Sequence, residues 1–245
     1  MMKIKPALAV AVVLLFCTNI FATLPMPPKK ESKIKIPHLS TDLAVSDLTS
    51  EAWNRAVRIV IIDYWTGQKA PKERHFTTHL LWSDTAFYIK FDADQKEPLI
   101  TAAEPDVSKK TLGLWNRDVC EIFIAPDRAD RTRYFEFEVA PTGEWVDLGI
   151  HWSPQERKTD LEYSSRMESA ALIEPGKIVM AIKIPWKAFG KAPKSGDVWL
   201  GNLFRCVGKD PTRGYLAWQP TKTAKPNFHV PSKFGQFEFV SEPAA

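Results

Sequence analysis

The chain has 245 residues, of which 44% are hydrophobic and 25% are charged. This composition is that of an ordinary globular protein, and the length suits one large all-β domain or two small domains. The net charge is only +4, and so balanced a chain excludes a dedicated nucleic-acid binder. The 9 Trp and 14 Phe indicate either a large aromatic core or a surface that stacks on flat ligands.

The N-terminus has the pattern of an export signal. Lys3 and Lys5 form a short positive segment, and the run Ala7–Phe16 is uncharged and apolar. This run is too short to span a bilayer, which takes about 20 residues, so it predicts a secretory signal peptide over residues 1–22. An uncleaved anchor and a lipoprotein cut at Cys17 are the alternatives. The protein is expected to be secreted or periplasmic, with no integral membrane segment after cleavage.

Residues 23–33 are rich in Pro and Lys and are predicted to form a leader without a fixed fold. No second linker and no internal repeat follow, so residues 34–245 are predicted to form one domain. Cys120 and Cys206 are the cysteines left after signal cleavage, and both lie in apolar, strand-like runs. An exported compartment permits a disulfide between them. Two buried free thiols are the alternative, and we favour it slightly.

Short apolar runs separated by turn residues dominate the rest of the chain. Tight turns are predicted at Ser83-Asp84 and at Glu174–Lys177. A helix is indicated only over residues 49–57, with Ser50 as its cap, and one further turn over residues 185–189. About ten strands at this spacing predict an all-β fold, an antiparallel β-sandwich of jelly-roll type. The predicted strands cover residues 77–82, 86–91, 119–124, 133–139, 144–150, 170–173, 178–184, 198–207 and 236–240.

Catalytic and metal-binding patterns are sparse. The chain has no Gly-x-Ser-x-Gly motif, no recognisable His triad, and no His or Cys pair with zinc spacing. Asp92 and Asp94 could contribute oxygen ligands to calcium. A polar loop after a strand is the favoured alternative for these two residues.

Paired carboxylates keep a glycoside hydrolase open as a function, because glycoside cleavage uses two of them. Glu136 and Glu138 share one face of a predicted strand, and Glu121 lies on another strand. The structural alternative for all three is a solvated strand face.

The segment that contains Glu121 has two different faces. The even-numbered residues of 120–124 are uniformly apolar and are predicted to face the core, which places Glu121 and Trp115 on a second face or at its rim. Arg205 lies in a later strand. An Arg opposite a Glu on one sheet face is either a structural ion pair or half of a polar ligand site, and the pattern alone favours the ion pair.

Several motifs occur in a fixed order along the chain. Their order and spacing together resemble those of family 9 carbohydrate-binding modules, from about Ile34 to Val240. Each motif alone is a weak signal. The motifs are Leu114–Phe123 with its Leu-Trp-x-x-Asp-x-x-Glu-x-Phe pattern, Tyr134–Trp145, Ile184–Trp186, Gly196–Trp199 followed by Asn202 and Arg205, Trp218–Pro220, Phe228–Pro231 and Phe234–Phe237.

The resemblance implies a β-sandwich that grips a sugar between two Trp rings, helped by polar and charged side chains. Trp115 matches the first ring, and Glu121 matches a carboxylate that binds hydroxyls. Trp218 is the best match for the second ring. Asn202 and Arg205 match other family positions and complete the predicted carbohydrate-binding set.

The resemblance also bears on cofactors. Members of this family carry structural calcium, so calcium is a candidate ion here, although the motifs do not identify its ligands. Ala140 stands where many members carry Asn, which implies that one polar contact is missing.

We therefore predict an exported carbohydrate-binding protein without catalytic residues of its own, whose partner is a sugar. An enzyme that acts on glycosides with Glu121 is the first alternative. The second is a haem-binding electron carrier, because haem-binding proteins with a similar sandwich exist. Its candidate ligands are Met167, Met180, His79, His151 and His229.

Overall fold

The computed structural model describes residues 32–241, and within this range thirteen strands form two sheets. The strands are β1 Lys33–Pro37, β2 Val57–Ile61, β3 Phe76–Trp82, β4 Ala86–Asp94, β5 Val119–Ala125, β6 Arg133–Val139, β7 Trp145–Trp152, β8 Arg157–Asp160, β9 Glu168–Glu174, β10 Lys177–Pro185, β11 Val198–Val207, β12 Gly214–Ala217 and β13 Gly235–Val240. The helical segments of the same range are short 3-10 helices at Glu51–Arg55, Lys72–Arg74, Leu114–Asn116, Trp186–Phe189 and Pro231–Lys233. None of them is long and apolar enough to cross a membrane.

The larger sheet has the order β1-β13-β11-β5-β6-β7-β8, and β12 also pairs with β11. The smaller sheet has the order β2-β3-β4-β10-β9. All strand pairs are antiparallel except β1 with β13. The all-β sandwich is confirmed, with thirteen strands instead of about ten.

Some strands were not predicted from the sequence, and their composition explains why. The strand β8 reads Arg-Lys-Thr-Asp and has no apolar residue, so only its backbone pairing with β7 defines it. The strand β1 begins at Lys33, within the predicted leader. The signal peptide of residues 1–22 and residues 23–31 of the leader lie outside the described residues.

The main core lies between the sheets. Cys120, Ile122 and Ile124 of β5 are fully buried there with Phe237 of β13 and Phe91 of β4. The predicted inner face of β5 is thus confirmed. Three tryptophans, Trp82, Trp186 and Trp199, are also buried in this core.

A second apolar layer covers the outer face of the larger sheet. Phe123 of β5 and Phe204 of β11 belong to it, and Phe228 from the C-terminal loop stacks on Phe204 with a ring separation of 4.1 Å. All seven residues of β5 are consequently buried, although only one of its faces meets the other sheet. A cavity opens at this outer layer.

The two cysteines are free and buried. In the β5–β11 register Cys120 pairs with Arg205, and Cys206 pairs with Val119. Because paired residues share a face and neighbours along a strand do not, the two thiols point to opposite faces of the sheet.

The predicted helix near the N-terminus is shorter than expected. It spans Glu51–Arg55, and the Ser50 side chain caps it by accepting a hydrogen bond of 3.4 Å from the Ala52 amide. The single turn predicted over residues 185–189 is the 3-10 helix Trp186–Phe189.

Candidate functional site

A cavity of about 890 Å³ opens on the outer face of the larger sheet. Its volume lies within the range of small-molecule sites, about 300–1,000 Å³. Side chains of β5 and β6 form its floor, including Glu121, Phe123 and Glu136. Loops before β5, after β11 and before β13 form its walls.

Trp115 stands at the rim of this cavity, with 39% of its surface exposed. It lies in the 3-10 helix Leu114–Asn116. The chain is therefore not extended at Trp115, although placing Trp115 on the same face as Glu121 assumed an extended chain. The buried Leu114 anchors the turn, and Gly113 enters it with a φ of 81°, a left-handed conformation that favours glycine. The turn thus leaves the indole ring of Trp115 available to a ligand.

Arg213 holds this turn in position. Its guanidinium donates hydrogen bonds to the carbonyl oxygens of Trp115 at 2.9 Å, Asn116 at 3.0 Å and Arg117 at 2.6 Å. It also lies 5.5 Å from the centre of the Tyr215 ring, within the range of a cation–π contact. Both Arg213 and Tyr215 line the cavity, and neither was predicted.

Three carboxylates meet at the floor. Glu121 of β5 pairs directly with Glu138 of β6, and Glu136 lies two residues along β6 on the same face. One oxygen from each residue can be chosen so that all three lie within 4.8 Å of one another. We call Glu121, Glu136 and Glu138 the carboxylate cluster. The alternative of a solvated strand face is wrong, because these residues are only 2%, 4% and 0% exposed.

Burial makes this cluster costly while it is charged. Two unit charges 4.8 Å apart repel by roughly 3 kcal/mol at an effective dielectric constant of about 20. Burial, then the charge of Glu136, raises the pKa of Glu121 well above its ordinary value. Burial, then the charges of Glu121 and Glu136, raises the pKa of Glu138 in the same way. The cluster therefore favours any state in which protons or a cation neutralise it.

Few groups of the protein partner the cluster. The Cys206 thiol lies 3.5 Å from a Glu121 oxygen. Among the described residues, no donor reaches either carboxylate oxygen of Glu138 or Oε2 of Glu136, although the two glutamates are close enough to share a proton. His229 Nε2 lies 3.8 Å from that Glu136 oxygen.

His229 is neutral in this environment. Burial lowers the pKa of His229 to about 3, and the charge of Arg157 acts in the same direction. Its Nδ1 is 2.9 Å from the Tyr134 hydroxyl, so the imidazole is fixed by hydrogen bonding on that side. His229 therefore supplies no positive charge to Glu136 near neutral pH.

Arg205 does not reach this site, which corrects the prediction that it lies near Glu121. It pairs with Cys120, so its side chain points to the inner face, away from Glu121. The guanidinium is buried and donates hydrogen bonds to three carbonyl oxygens and to Oε1 of Gln95. These acceptors are the carbonyls of Arg74 at 2.9 Å, His75 at 3.1 Å and Asp94 at 2.8 Å, and Gln95 at 2.5 Å.

Asn202 is on the outer face, but it does not line the cavity either. It is fully buried, and its amide donates a hydrogen bond of 2.8 Å to the Gln219 carbonyl. Its Oδ1 accepts hydrogen bonds of 2.9 Å from the amides of Gln219 and Leu203. The two contacts with Gln219 hold the chain that follows β12, so the structure places Asn202 in a supporting position.

Trp218 packs against the main core and does not lie at the outer cavity with Trp115. Its ring stacks on Phe237 of the main core, with centres 5.6 Å apart and planes 12° apart. A Cβ added at Gly235 would lie 2.4 Å from the Trp218 ring, so the backbone approaches this indole closely. Trp218 is absent from the cavity lining, and the prediction that it forms one open site with Trp115 is wrong.

The haem candidates are not brought together. Met167 and Met180 belong to the core between the sheets. His229 lies at the cavity on the outer face of the larger sheet, and His79 is hydrogen-bonded to Asp92 at 2.8 Å. His151 is exposed on β7.

The calcium candidate at Asp92 and Asp94 gains no support from its surroundings. Asp92 contacts His79 at 2.8 Å and Lys177 at 3.4 Å, so two basic side chains already partner it. Asp94 is exposed. The polar-loop interpretation fits this arrangement better.

Known proteins with similar sequences and folds support this description. A family model described as "Carbohydrate family 9 binding domain-like" matches residues 47–242. The chain is 26% identical over 182 residues to a protein of Arthroderma benhamiae named "Extracellular protein", a stretch that covers 67% of this chain and 78% of that protein.

Solved structures show the same fold at low identity. A candidate carbohydrate-binding protein from Bacteroides uniformis superposes with a TM-score of 0.67 at 18% identity, over 85% of this chain and 99% of the other. A family 9 carbohydrate-binding module from Caldicellulosiruptor kristjanssonii in complex with cellotriose has a TM-score of 0.62 at 15% identity, over 86% and 95% of the two chains. The same organism's module in complex with glucose has a TM-score of 0.61 at 16% identity, over 86% and 97%. Since the matched family model spans most of the sequence, the chain belongs to the carbohydrate family 9 binding domain-like family.

Proposed function

We propose that the protein is an exported carbohydrate-binding protein that stacks a sugar ring on Trp115 in the outer cavity. The observation that carries the proposal is the half-exposed Trp115 indole at the rim of a cavity whose floor holds Glu121. A pyranose has an apolar face of C–H groups and an edge of hydroxyls. An indole buries the first, and carboxylates bind the second.

Apolar side chains of the walls extend the stacking surface. Leu112 and Leu161 are 54% and 44% exposed, and both line the cavity with Trp115. Exposed apolar groups gathered at one cavity favour a ligand that covers them. Polar groups on the same walls, Arg157 and Asn227, would bind hydroxyls at the edge of the ring.

The first ligands to test are glucose and cellotriose, because family 9 modules from Caldicellulosiruptor kristjanssonii were solved with them. A glycan array with the mature protein then widens the search, and isothermal titration calorimetry measures each affinity. We expect binding of at least one sugar. An array without any bound glycan, together with no heat for glucose or cellotriose, would contradict the proposal.

A matched pair of leucines tests where the sugar binds. Leu161 is 44% exposed at the cavity, whereas Leu172 is 43% exposed on β9 of the other sheet. Leu161→Ala should weaken sugar binding several-fold, since it removes apolar surface from the site at about 25 cal/mol per Å². Leu172→Ala should bind like the wild type. Equal effects of the two substitutions would place the site elsewhere.

Export is the second half of the proposal. The pattern of Lys3, Lys5 and Ala7–Phe16 supports it, as does the extracellular relative from Arthroderma benhamiae. Mature protein from the native host should begin near Thr23 on N-terminal sequencing. A chain that retains Met1 would contradict cleavage.

The enzymatic alternative is separated from binding by a turnover assay. Purified protein should bind its sugar without cleaving the glycosidic bond. Hydrolysis that is lost in Glu136→Gln would instead assign the carboxylate cluster to catalysis.

A further inference from the structure

We propose that the carboxylate cluster binds one calcium ion at the floor of the outer cavity, and that the ion takes sugar hydroxyls as its remaining ligands. The first half concerns the ion alone and stands without any sugar. The second half rests on the function proposed above.

The spacing of the oxygens fits a single ion. Calcium binds oxygen at about 2.3–2.6 Å, so two of its ligands lie at most about 5 Å apart. One oxygen each from Glu121, Glu136 and Glu138 lie within 4.8 Å of one another. Two adjacent strands fix this spacing, because the β5–β6 register sets Glu121 directly opposite Glu138.

Unpartnered oxygens provide an independent indication of a ligand. Glu138 is completely buried, and no donor among residues 32–241 reaches either of its carboxylate oxygens, which can only share a proton with Glu136. No donor in this range reaches Oε2 of Glu136 either. Buried carboxylates are ordinarily hydrogen-bonded or bound to a metal. A bound cation would explain why three buried carboxylates point at one place. It would also explain why three of their oxygens receive no hydrogen bond from a donor.

Two of the basic groups near the cluster are otherwise engaged, whereas Arg157 lines the cavity and acts on Glu136 through its charge. Arg213 donates its hydrogen bonds of 2.6–3.0 Å to the carbonyl oxygens around Trp115 and Gly208. His229 is held by Tyr134 and approaches Glu136 only to 3.8 Å. The single charge of Arg157 does not balance three carboxylates, so the remaining negative charge favours a divalent ion over sodium or potassium.

The ligand chemistry favours calcium among divalent ions. The three donors are hard carboxylate oxygens, and calcium accepts six to eight such ligands in flexible geometry, whereas magnesium demands a near-ideal octahedron. Glu121 and Glu136 line the cavity, but Glu138 lies behind them. An ion held by all three thus has one side facing the cavity, where neutral hydroxyl oxygens of a sugar can complete its shell.

The test begins with full-length mature protein stripped by EDTA and dialysed. Calorimetry with calcium chloride alone should show one site, and the melting temperature should rise with calcium concentration. Glu138→Gln keeps the shape of the side chain and does not alter the cavity lining. It should weaken calcium binding by at least about tenfold, since it removes a charged ligand. The control is Asp94→Asn, an exposed carboxylate in the other calcium candidate, and it should bind calcium like the wild type.

The stability of the stripped protein gives a second readout. Without calcium, Glu138→Gln should melt no lower than the wild type, because it removes repulsion from Glu121 and Glu136. Addition of calcium should raise the melting temperature of the wild type, and the variant should need at least about ten times more calcium for the same rise. If the cluster is instead neutralised by shared protons, calcium will shift neither protein, and that result overturns the proposal. Calcium binding that survives in Glu138→Gln but is lost in Asp94→Asn overturns it as well.

Sugar titrations separate this inference from the proposed function. Calcium should tighten sugar binding, and the sugar should tighten calcium binding by the same factor, because linkage is reciprocal. Sugar binding that is identical with EDTA and with calcium would refute the hydroxyl–ion contact while leaving carbohydrate binding intact. Calcium binding without any sugar binding would refute the proposed function and retain the ion site.

Discussion

Arg213 donates a hydrogen bond of 2.9 Å to the carbonyl oxygen of Trp115. The bond connects the hairpin between β11 and β12 to the turn before β5, two parts of the chain that are 98 residues apart. The turn that carries the Trp115 indole is therefore stabilised by Arg213, a residue distant in sequence, as well as by its own 3-10 hydrogen bonds. If Trp115 stacks on a sugar as proposed, an indole fixed in this way loses little conformational freedom on binding.

Arg213→Lys tests this support. Lysine keeps the charge but lacks the planar fork that reaches several carbonyl oxygens at once. We expect sugar affinity to fall about tenfold, or about 1.4 kcal/mol. Quenching of tryptophan fluorescence by acrylamide should increase, because the turn becomes more mobile. Unchanged affinity and unchanged quenching would show that the turn is stable without the Arg213 contacts.

Trp115 and Trp218 should respond in opposite ways to truncation. Trp115→Ala should lower sugar affinity by about 1–3 kcal/mol, by analogy with base stacking on aromatic rings, and should leave the melting temperature nearly unchanged. Trp218→Ala removes a ring packed on Phe237, so it should cost about 3 kcal/mol of folding free energy. Sugar binding per folded molecule should persist in that variant. Titration and melting of both variants would reveal the reverse pattern if Trp218 were the stacking residue.

The buried Arg205 should matter for stability. Arg205→Met keeps most of the side-chain length but leaves the carbonyl oxygens of Arg74, His75 and Asp94 without their donor. The expected cost is about 3–5 kcal/mol, the range for removing one partner of a buried charged network. Chemical denaturation measures it, with Arg58→Met on the exposed face of β2 as the control. A loss no larger than that of the control would show that these carbonyls find other donors.

The contact between Asp92 and His79 predicts a loss of stability in acid. Burial opposes ionisation of Asp92, but the His79 hydrogen bond and the charges of Lys90, His79 and Lys177 outweigh it and lower the pKa to about 2. Because the folded-state pKa lies below the unfolded value of about 3.9, this group stabilises the fold above pH 4. The contribution is lost as the pH falls from about 4 to 2, and it is about 2 kcal/mol at most.

Denaturation curves between pH 2 and pH 7 measure that contribution. Asp92→Asn should flatten the acid limb of the profile relative to the wild type. Asp94→Asn, two residues along the same strand, should leave the limb as it is. Identical acid limbs for wild type and Asp92→Asn would show that the pair does not contribute.

The two thiols should be inaccessible in the native protein. Burial raises the pKa of Cys120 to about 12, and the Cys206 thiol is buried beside Glu121. An alkylating reagent should modify neither cysteine until the protein unfolds, and then both. Mass spectrometry of unreduced, unfolded protein would contradict this if it found one disulfide in place of two alkylated thiols.

Strands with an apolar pattern were predictable from the sequence. The strands at residues 133–139 and 198–207 were predicted with the correct bounds. Each has either alternating polar and apolar residues or a continuous apolar run, bounded by clear turns. The outer face was harder to predict. Glu136 and Glu138 look solvent-exposed by composition, and only the covering loop with Phe228 shows why they are buried.

The site was predictable in part. Trp115 and Glu121 were identified together through motif spacing, and they do line one cavity. Arg205 was misplaced because its partner depends on the β5–β11 register, which sets it opposite Cys120. Arg213 carried no local signal, since its importance comes from contacts nearly a hundred residues away.

The two faces of β5 have different roles. Cys120, Ile122 and Ile124 belong to the core between the sheets, whereas Glu121 and Phe123 face the outer cavity, the proposed sugar site. Substitutions at these odd-numbered positions can therefore change ligand preference while the inter-sheet core stays intact. A single-residue insertion in β5 has the opposite outcome, because it would turn carboxylates into the core and apolar side chains into the cavity. A new ligand preference can therefore arise in β5 by substitution of single residues, but not by insertion or deletion of one residue.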